Sequence, residues 1–228
     1  MEESRILYED NHLIAVNKKI GELVQGDDTG DDPMTVFLKE YIKIKYNKPG
    51  NVFLGVAHRI DRPVSGVVVF ARTSKALTRL NAMFQEKTSQ KTYLAIVKNK
   101  PPKDTDHLFH WMVRNQKQNK SYCHEKQVPD SKKAELIYTI KASSDNYHLL
   151  EIKLITGRHH QIRSQLSKIG CPIKGDLKYG FDRSNPDGGI DLHAYSIEFE
   201  HPVKKEPLKI VAPLPEGALW RFFEGKVI

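Results

Sequence analysis

Cysteine is scarce: Cys123 and Cys171 are the two thiols in a chain of 228 residues. They stand far apart and form no C-x-x-C, which argues against a disulfide-stapled scaffold, a thiolate metal knuckle or a dithiol redox motif. No apolar run approaches the roughly 18 residues that a membrane-spanning helix requires. The opening, MEESRILYEDNHLIAVNKK, is polar and lacks the apolar centre of a signal peptide, so a cytoplasmic protein with reduced thiols is expected. There is no G-x-x-x-x-G-K-[ST], no G-x-G-x-x-G and no G-x-S-x-G, which removes the phosphate-cradling loop, the dinucleotide fold and the nucleophile elbow. Metal ligation has no support either. His159 and His160 are neighbours and would point about 100° apart on a helix. His107 and His110 have no acidic or thiol ligand at a useful spacing, so neither metal nor cofactor is expected. Internal repeats and low-complexity tracts are absent as well.

What is present is positive charge. Lysine plus arginine number 36 against 28 aspartate plus glutamate, a formal charge of +8. Such an excess favours a polyanionic partner, because each phosphate neutralised releases condensed counterions. The length is enough to bury a core without staples, and residues 1–228 are read as one domain.

Residues 5–16 alternate as short strands around a Glu9-Asp10-Asn11 turn. Asp32 as N-cap and Pro33 at the first helical position predict a helix with Val36, Phe37, Tyr41 and Ile44 as its buried stripe, ended by Lys48-Pro49-Gly50. The run 66–71, GVVVFA, is of strand length, and Ser74 caps a helix to about Lys87 with Leu77, Leu80 and Phe84 on one face. Residues 91–98 read as a strand, and 101–133 as a polar surface excursion without assigned structure. Residues 135–141 and 147–156 form paired strands about Ser143–Asn146. Arg158 to Ile169 reads as a helix stopped by Gly170 and Pro172, 192–200 as a strand, and Leu219–Phe223 as a short helix. Strands outnumber helices without regular alternation, so the expected class is α+β with a mixed, mainly antiparallel sheet flanked by helices.

Three segments carry chemistry. HRIDRPVSG, residues 58–66, sets one carboxylate, Asp61, between Arg59 and Arg62, which would keep it ionised and oriented for attack or proton transfer. TGRHHQIRSQLSKIGCPIKGDLKYG, residues 156–180, opens a helix at a Thr-Gly turn whose N–H groups could meet a phosphate, with His159 and Arg163 at i, i+4 sharing a face. Lys91-Thr92-Tyr93 starts a strand, and the Tyr93 ring offers a π-face and a polar hydroxyl. Taken one at a time, each also reads as ordinary structure: a charged turn, a wet helix face, a half-buried strand tyrosine.

Together the segments resemble the RluA-type family of RNA pseudouridine synthases. The family pattern H-R-L-D-x-x-T-S-G stands here as His58 to Gly66, with Ile60 for Leu and Val64 for Thr, and Val64 removes a hydroxyl. G-R-x-H-Q-I-R runs from Gly157-Arg158 to Arg163, and G-x-P-I-x-G-D-x-x-Y-G from Gly170 to Gly180, both complete. Lys-x-Tyr matches Lys91 to Tyr93, Leu192-His193-Ala194 and Phe199 to Pro202 match a later element, and Tyr8-Glu9-Asp10 with Asn17-Lys18 match the opening, where Lys19 replaces a Pro. The resemblance spans about residues 6–215. It implies an isomerase without cofactor or metal, acting as a monomer on a uridine of large-subunit ribosomal RNA or transfer RNA. It implies Asp61 as the catalytic carboxylate, Arg163 as its salt-bridge partner and Tyr93 as the stacking residue. His58, Arg59, Arg62, Lys91, Arg158 and His160 would contact the RNA. Only seven residues precede Tyr8, so the accessory RNA-binding domain of many members is not expected, and the catalytic domain or a partner would hold the RNA. Two other readings use the same residues: a non-catalytic RNA-binding module, and a glycosidase-like hydrolase. The second lacks a second acid beside Asp61.

Overall fold

A computed structural model describes residues 2–26 and 30–226. In chain order the strands are β1 (Ile6–Glu9), β2 (Leu13–Lys18), β3 (Gly55–Val56), β4 (Ser65–Ala71), β5 (Gln90–Val97) and β6 (Thr105–Asn115). They continue as β7 (Lys120–His124), β8 (Lys132–Ser143), β9 (His148–Leu154), β10 (Leu192–Glu200) and β11 (Pro207–Val211). The α-helices are α1 (Met34–Lys45), α2 (Ser74–Glu86), α3 (Gln161–Lys168) and α4 (Ala218–Phe223). The class is α+β, as the patterning implied. Among the described residues no helix is long and apolar enough to cross a membrane.

The chain divides into two compact units, residues 1–89 with 194–213 and residues 90–193 with 214–228. In the first unit the strand order is β1-β2-β4-β10, with β3 on β4 and β11 on β10. The β1–β2, β2–β4, β3–β4 and β10–β11 pairs are antiparallel. All seven residues of β4 are buried, which is why its sequence is a continuous apolar run rather than an alternation. Thr73, not Ser74, caps α2, its hydroxyl accepting from the Ala76 amide at 3.2 Å.

Helix α1 differs from expectation in the face it buries. Met34, Leu38 and Ile42, at i, i+4 and i+8, point inward, while Val36, Phe37 and Ile44 are 46, 43 and 73% exposed. Both stripes satisfy the helical period. The choice is made by polar partners: Tyr41 Oη donates to Glu9 Oε2 at 3.0 Å and accepts from Lys45 Nζ at 2.6 Å, so its side of the helix stays with a charged cluster. The helix also starts at Met34, with Pro33 rather than Asp32 at the cap, a shift of one residue.

In the second unit the order is β5-β9-β8-β6-β7, every neighbouring pair antiparallel. Residues 101–133 are not an unstructured excursion, since they hold β6 and β7. The hairpin hides from pattern reading because its polarity is inverted. Leu108, His110 and Met112 are buried, whereas Phe109 on the opposite face is exposed. His110 is satisfied inside by Gln165 Nε2 at 3.0 Å, and burial lowers its pKa. Helix α3 is shorter than expected. Its N-cap, His160, is in the left-handed region (φ 52°), so His159 and His160 lie off the helix and stack at 3.8 Å between ring centroids. His159 and Arg163 therefore do not share a helical face.

Candidate active site

Asp61 lies on the crossing from β3 to β4 in the first unit. The turn is closed by the Val64 amide donating to the Asp61 carbonyl at 3.0 Å, and anchored by the buried Ile60 and Val64 side chains, 9 and 2% exposed. Arg59 points into solvent. Arg62 is committed elsewhere: its Nε donates to the Gly21 carbonyl at 2.9 Å and its Nη2 to Asp31 Oδ2 at 2.6 Å. The Gly21 amide returns a bond to the Arg62 carbonyl at 3.0 Å. His58 is half-buried, its Nε2 accepting from the Val69 amide at 3.0 Å and its ring set edge-on to Phe84. His58 thus ties one end of the segment to β4, and Arg62 ties the other to the loop between β2 and α1.

Lys18 supplies what the sequence reading missed. Its side chain is fully buried, and its ammonium donates to the carbonyls of Lys19 at 3.1 Å, Arg62 at 3.0 Å and Val64 at 2.6 Å. All three protons are spent on main chain, two of them within the Asp61 turn. Burial pushes the Lys18 pKa down to about 8, against the opposing pull of Glu22 and of Asp61. The ammonium is therefore both a clamp on the turn and a cation in the field of the carboxylate. The signal was visible as Asn17-Lys18, but a lysine at the end of an apolar strand gives no hint that it faces inward.

Its titration has opposite consequences for stability and for function. The folded pKa lies below the unfolded one, so between pH 8 and the ordinary lysine range the unfolded chain holds the extra proton. Stability from this group therefore rises with pH across that window. Turnover is expected to fall across the same window, as the clamp loses a proton and Asp61 loses a neighbouring cation. Lys18→Met is expected to lose at least about tenfold in kcat and to lack the alkaline limb, since two turn carbonyls lose their donor. A kcat–pH profile with no limb near pH 8 in the parent protein would refute this role.

The second unit carries Tyr93, Lys91 and the α3 segment. Tyr93 is 9% exposed on β5, in register with Ile152. Lys91 is partly buried, which lowers its pKa to about 8. Arg163 is 5% exposed and grips Asp176 with two parallel bonds, Nε to Oδ2 at 2.7 Å and Nη2 to Oδ1 at 2.8 Å. Asp176 is itself 1% exposed, so this is a buried bidentate pair, and removing either partner would strand a charge at a cost of about 3–5 kcal/mol. Tyr179 packs against Arg163 with the guanidinium 5.1 Å from its ring centre.

The turn before α3 is a network of named bonds. Tyr179 Oη accepts from the Ser121 amide at 2.8 Å and lies 3.0 Å from His160 Nδ1. His160 is 8% exposed, and burial together with Arg163 pushes its pKa down to about 2, so its ring is neutral. Gln161 Oε1 accepts from Thr156 Oγ1 at 2.7 Å and from the Arg158 amide at 3.0 Å, while Gln161 Nε2 donates to the Glu135 carbonyl at 3.0 Å. Arg158 is exposed, with its Nε on the Lys133 carbonyl at 2.8 Å. Gly175 (φ 87°) is required where a Cβ would come within 2.8 Å of Asn185 and of the Gly189 carbonyl.

An α+β architecture with a motif-bearing carboxylate turn defines a class that comparison makes specific. Human RNA Pseudouridylate Synthase Domain Containing 4 matches with a TM-score of 0.80 at 23% identity, over 98% of this chain and 92% of that one. Human RNA Pseudouridylate Synthase Domain Containing 1 matches at 0.70 and 19% identity, over 96 and 93%. At these identities the likeness shows the fold. A sequence profile described as RNA pseudouridylate synthase matches residues 12–168. Ribosomal large subunit pseudouridine synthase C of Vibrio cholerae serotype O1 is 34% identical over 224 residues, 93% of this chain and 66% of that protein. The protein of the same name from Haemophilus ducreyi is 34% identical over 218 residues, with the same coverage, 93 and 66%. The chain thus spans 66% of the length of these relatives. It belongs to the RNA pseudouridylate synthase family.

Proposed function

We propose that the protein isomerises a uridine of large-subunit ribosomal RNA to pseudouridine, with Asp61 as the catalytic carboxylate. The observation that carries this reading is the Asp61 turn, whose main chain is clamped by the buried Lys18 ammonium. A carboxylate held on a fixed turn is aimed before substrate arrives. Family membership supplies the reaction: the N1–C1′ bond of the uridine breaks, the base rotates, and C5 bonds to C1′. The C5 proton leaves and N1 gains one, so no redox change occurs and no water is consumed.

In this reading the target nucleotide first leaves its stack, at a cost of a few kcal/mol that is smallest in a loop or bulge. Tyr93 stacks on the extruded base and accepts the C5 proton. Arg163, its guanidinium fixed by Asp176, is a further catalytic residue of this reading. Arg59 and Arg158 meet the RNA directly, while His58, Arg62, Lys91 and His160 shape the segments that carry those contacts. The protein works in the cytoplasm, as a monomer, without metal or cofactor. The ribosomal substrate rests on the names of the relatives. Transfer RNA is the second candidate, since a compact stem-loop from either RNA would present an extrudable uridine.

The test maps pseudouridine in ribosomal and transfer RNA from cells with and without the protein, and assays purified RNA for free uracil. Loss of modification at discrete large-subunit positions, with no uracil released, is expected. Changes confined to transfer RNA would overturn the substrate and keep the chemistry. Free uracil would replace isomerisation by hydrolysis, and no change in any RNA would leave only the binding-module reading.

A further inference from the structure

We propose that the outer face of the β7–β6–β8–β9 sheet is a second RNA-contacting surface, on which Phe109, Trp111 and Tyr122 stack unpaired bases while Lys120, Lys133 and Lys153 take phosphates. This rests on the RNA reading above and extends it to the face of the second unit opposite the one that carries Tyr93.

Directly paired residues of a sheet project to the same side. The register joins Tyr93 to Ile152 and Ile152 to Tyr138, which places these three on one face of the second unit. Phe109 pairs with Glu135, an odd number of residues from Tyr138, so it projects from the other face. Trp111 pairs with Lys133 and His124, Val113 with Tyr122, and Ile137 with Lys153, which fills that outer face in strand order.

The composition of the face is the reverse of what packing alone would select. His110 is buried at the cost of desolvating an imidazole, while Phe109 and Tyr122 are 39 and 40% exposed. Large rings left in water on one sheet face mark a contact surface. Phe109 and Trp111 meet edge-to-face with centroids 5.9 Å apart, which fixes both rings before any ligand arrives. Cations are interleaved with them: Lys133 Nζ is 4.9 Å from the Phe109 ring centre and Lys120 Nζ is 5.5 Å from that of Tyr122. Two carboxylates share the face. Glu135 is drawn to His107 at 3.3 Å and Lys133 at 4.0 Å, and Glu151 to Lys141 at 4.0 Å. The chain as a whole carries +8. Aromatic rings alternating with lysines fit single-stranded nucleic acid, where bases stack without regard to sequence and phosphates need only point charges. An apolar protein partner would gain nothing from the lysines.

The protein holds two tryptophans, and Trp220 is 5% exposed. Trp220→Phe therefore leaves Trp111 as a lone reporter on the proposed surface. The probe is a short, unstructured RNA oligonucleotide of mixed sequence, with a dye-labelled copy reporting total binding by anisotropy. Addition of the oligonucleotide is expected to quench Trp111. Phe109→Ala with Tyr122→Ala is expected to weaken its affinity about tenfold. Lys133→Ala is expected to reduce the slope of log affinity against log salt by about one. Asp61→Asn, which stops turnover, leaves the quench in place, so this surface and the catalytic assignment fail independently. Should Trp220→Phe not fold, photocrosslinking of a 4-thiouridine oligonucleotide to the parent protein, with peptide mapping, reads the same contact at β6 and β7. The proposal is overturned by unquenched Trp111 at RNA concentrations that saturate anisotropy, by crosslinks that avoid β6 and β7, or by Trp111 burial that tracks protein concentration without RNA, which would make the face a contact between copies.

Discussion

Asp61→Asn is expected to leave a folded protein that binds RNA within a few fold of the parent and forms no detectable pseudouridine, a loss of at least about a thousandfold. The fold should survive because the turn is held by its main chain. The Val64 amide bonds to the Asp61 carbonyl, and Lys18 bonds to the carbonyls of Arg62 and Val64, so none of these needs the Asp61 carboxylate. Asparagine has the same shape and lacks only the charge and one acceptor oxygen. Binding should survive because phosphate contacts, not the carboxylate, supply most of the affinity for RNA. Chemistry should not survive, since a neutral amide is neither nucleophile nor base at working pH. Carbodiimide mapping of a competent RNA gives turnover, filter binding gives affinity, and a melting curve gives the fold. Turnover by Asp61→Asn on an RNA that the parent modifies would remove Asp61 from the mechanism. Arg62→Ala makes a useful contrast. It breaks the bonds to Gly21 and Asp31 without touching the carboxylate, so a partial loss of activity is expected.

The sequence pattern made β1, β2, β4, β10 and the span of α2 legible, because apolar runs and a helical period stand in the residue order; β3 and β11 carried no such signal, and on α2 Ala76 and Leu80 are buried while Leu77 and Phe84 are half-buried. It failed where two solutions satisfied the same period. In α1 the stripe of Val36, Phe37, Tyr41 and Ile44 is as regular as that of Met34, Leu38 and Ile42, and only Glu9, far away in sequence, decides between them. It failed again on β6, where a buried His110 and an exposed Phe109 invert the alternation that identifies a strand. Both failures have one cause: the deciding partner is a polar group from another element.

The candidate site is legible as motifs, whereas the bonds that hold its residues are not. Asp61 and Arg163 stand out through the residues around them, yet their supports are not local. Arg62, which reads as a flanking cation, reaches Asp31 instead, and Arg163 is braced by Asp176. Lys18 clamps carbonyls more than forty positions away, with sequence separations of 44 and 46 to Arg62 and Val64. These bonds join side chains to main chain or to side chains of other elements, and spacing along a chain carries no record of them.

Gly66→Ala is expected to be the most damaging single substitution outside the chemistry, yielding insoluble protein or a loss of about 3–5 kcal/mol in stability. Gly66 sits in β4 just beyond the Asp61 turn, with φ at 117°, a conformation that costs any L-residue. An added Cβ would stand 2.2 Å from the Ala194 carbonyl oxygen and 2.7 Å from its carbon and nitrogen. Those atoms are main chain of β10, so no rotamer change relieves the clash, and β4 and β10 must separate along a buried seam. Gly21→Ala isolates the conformational part of the effect. Gly21 has φ at 85° but no atom within 4 Å of its virtual Cβ, so about 1 kcal/mol is expected there. The difference between the two variants in urea midpoint measures the cost of the close strand approach. Equal midpoints would show that the seam yields freely. A Gly66→Ala protein rescued at low temperature is expected to lose kcat as well, because β4 carries the exit of the Asp61 turn on which the proposed chemistry rests.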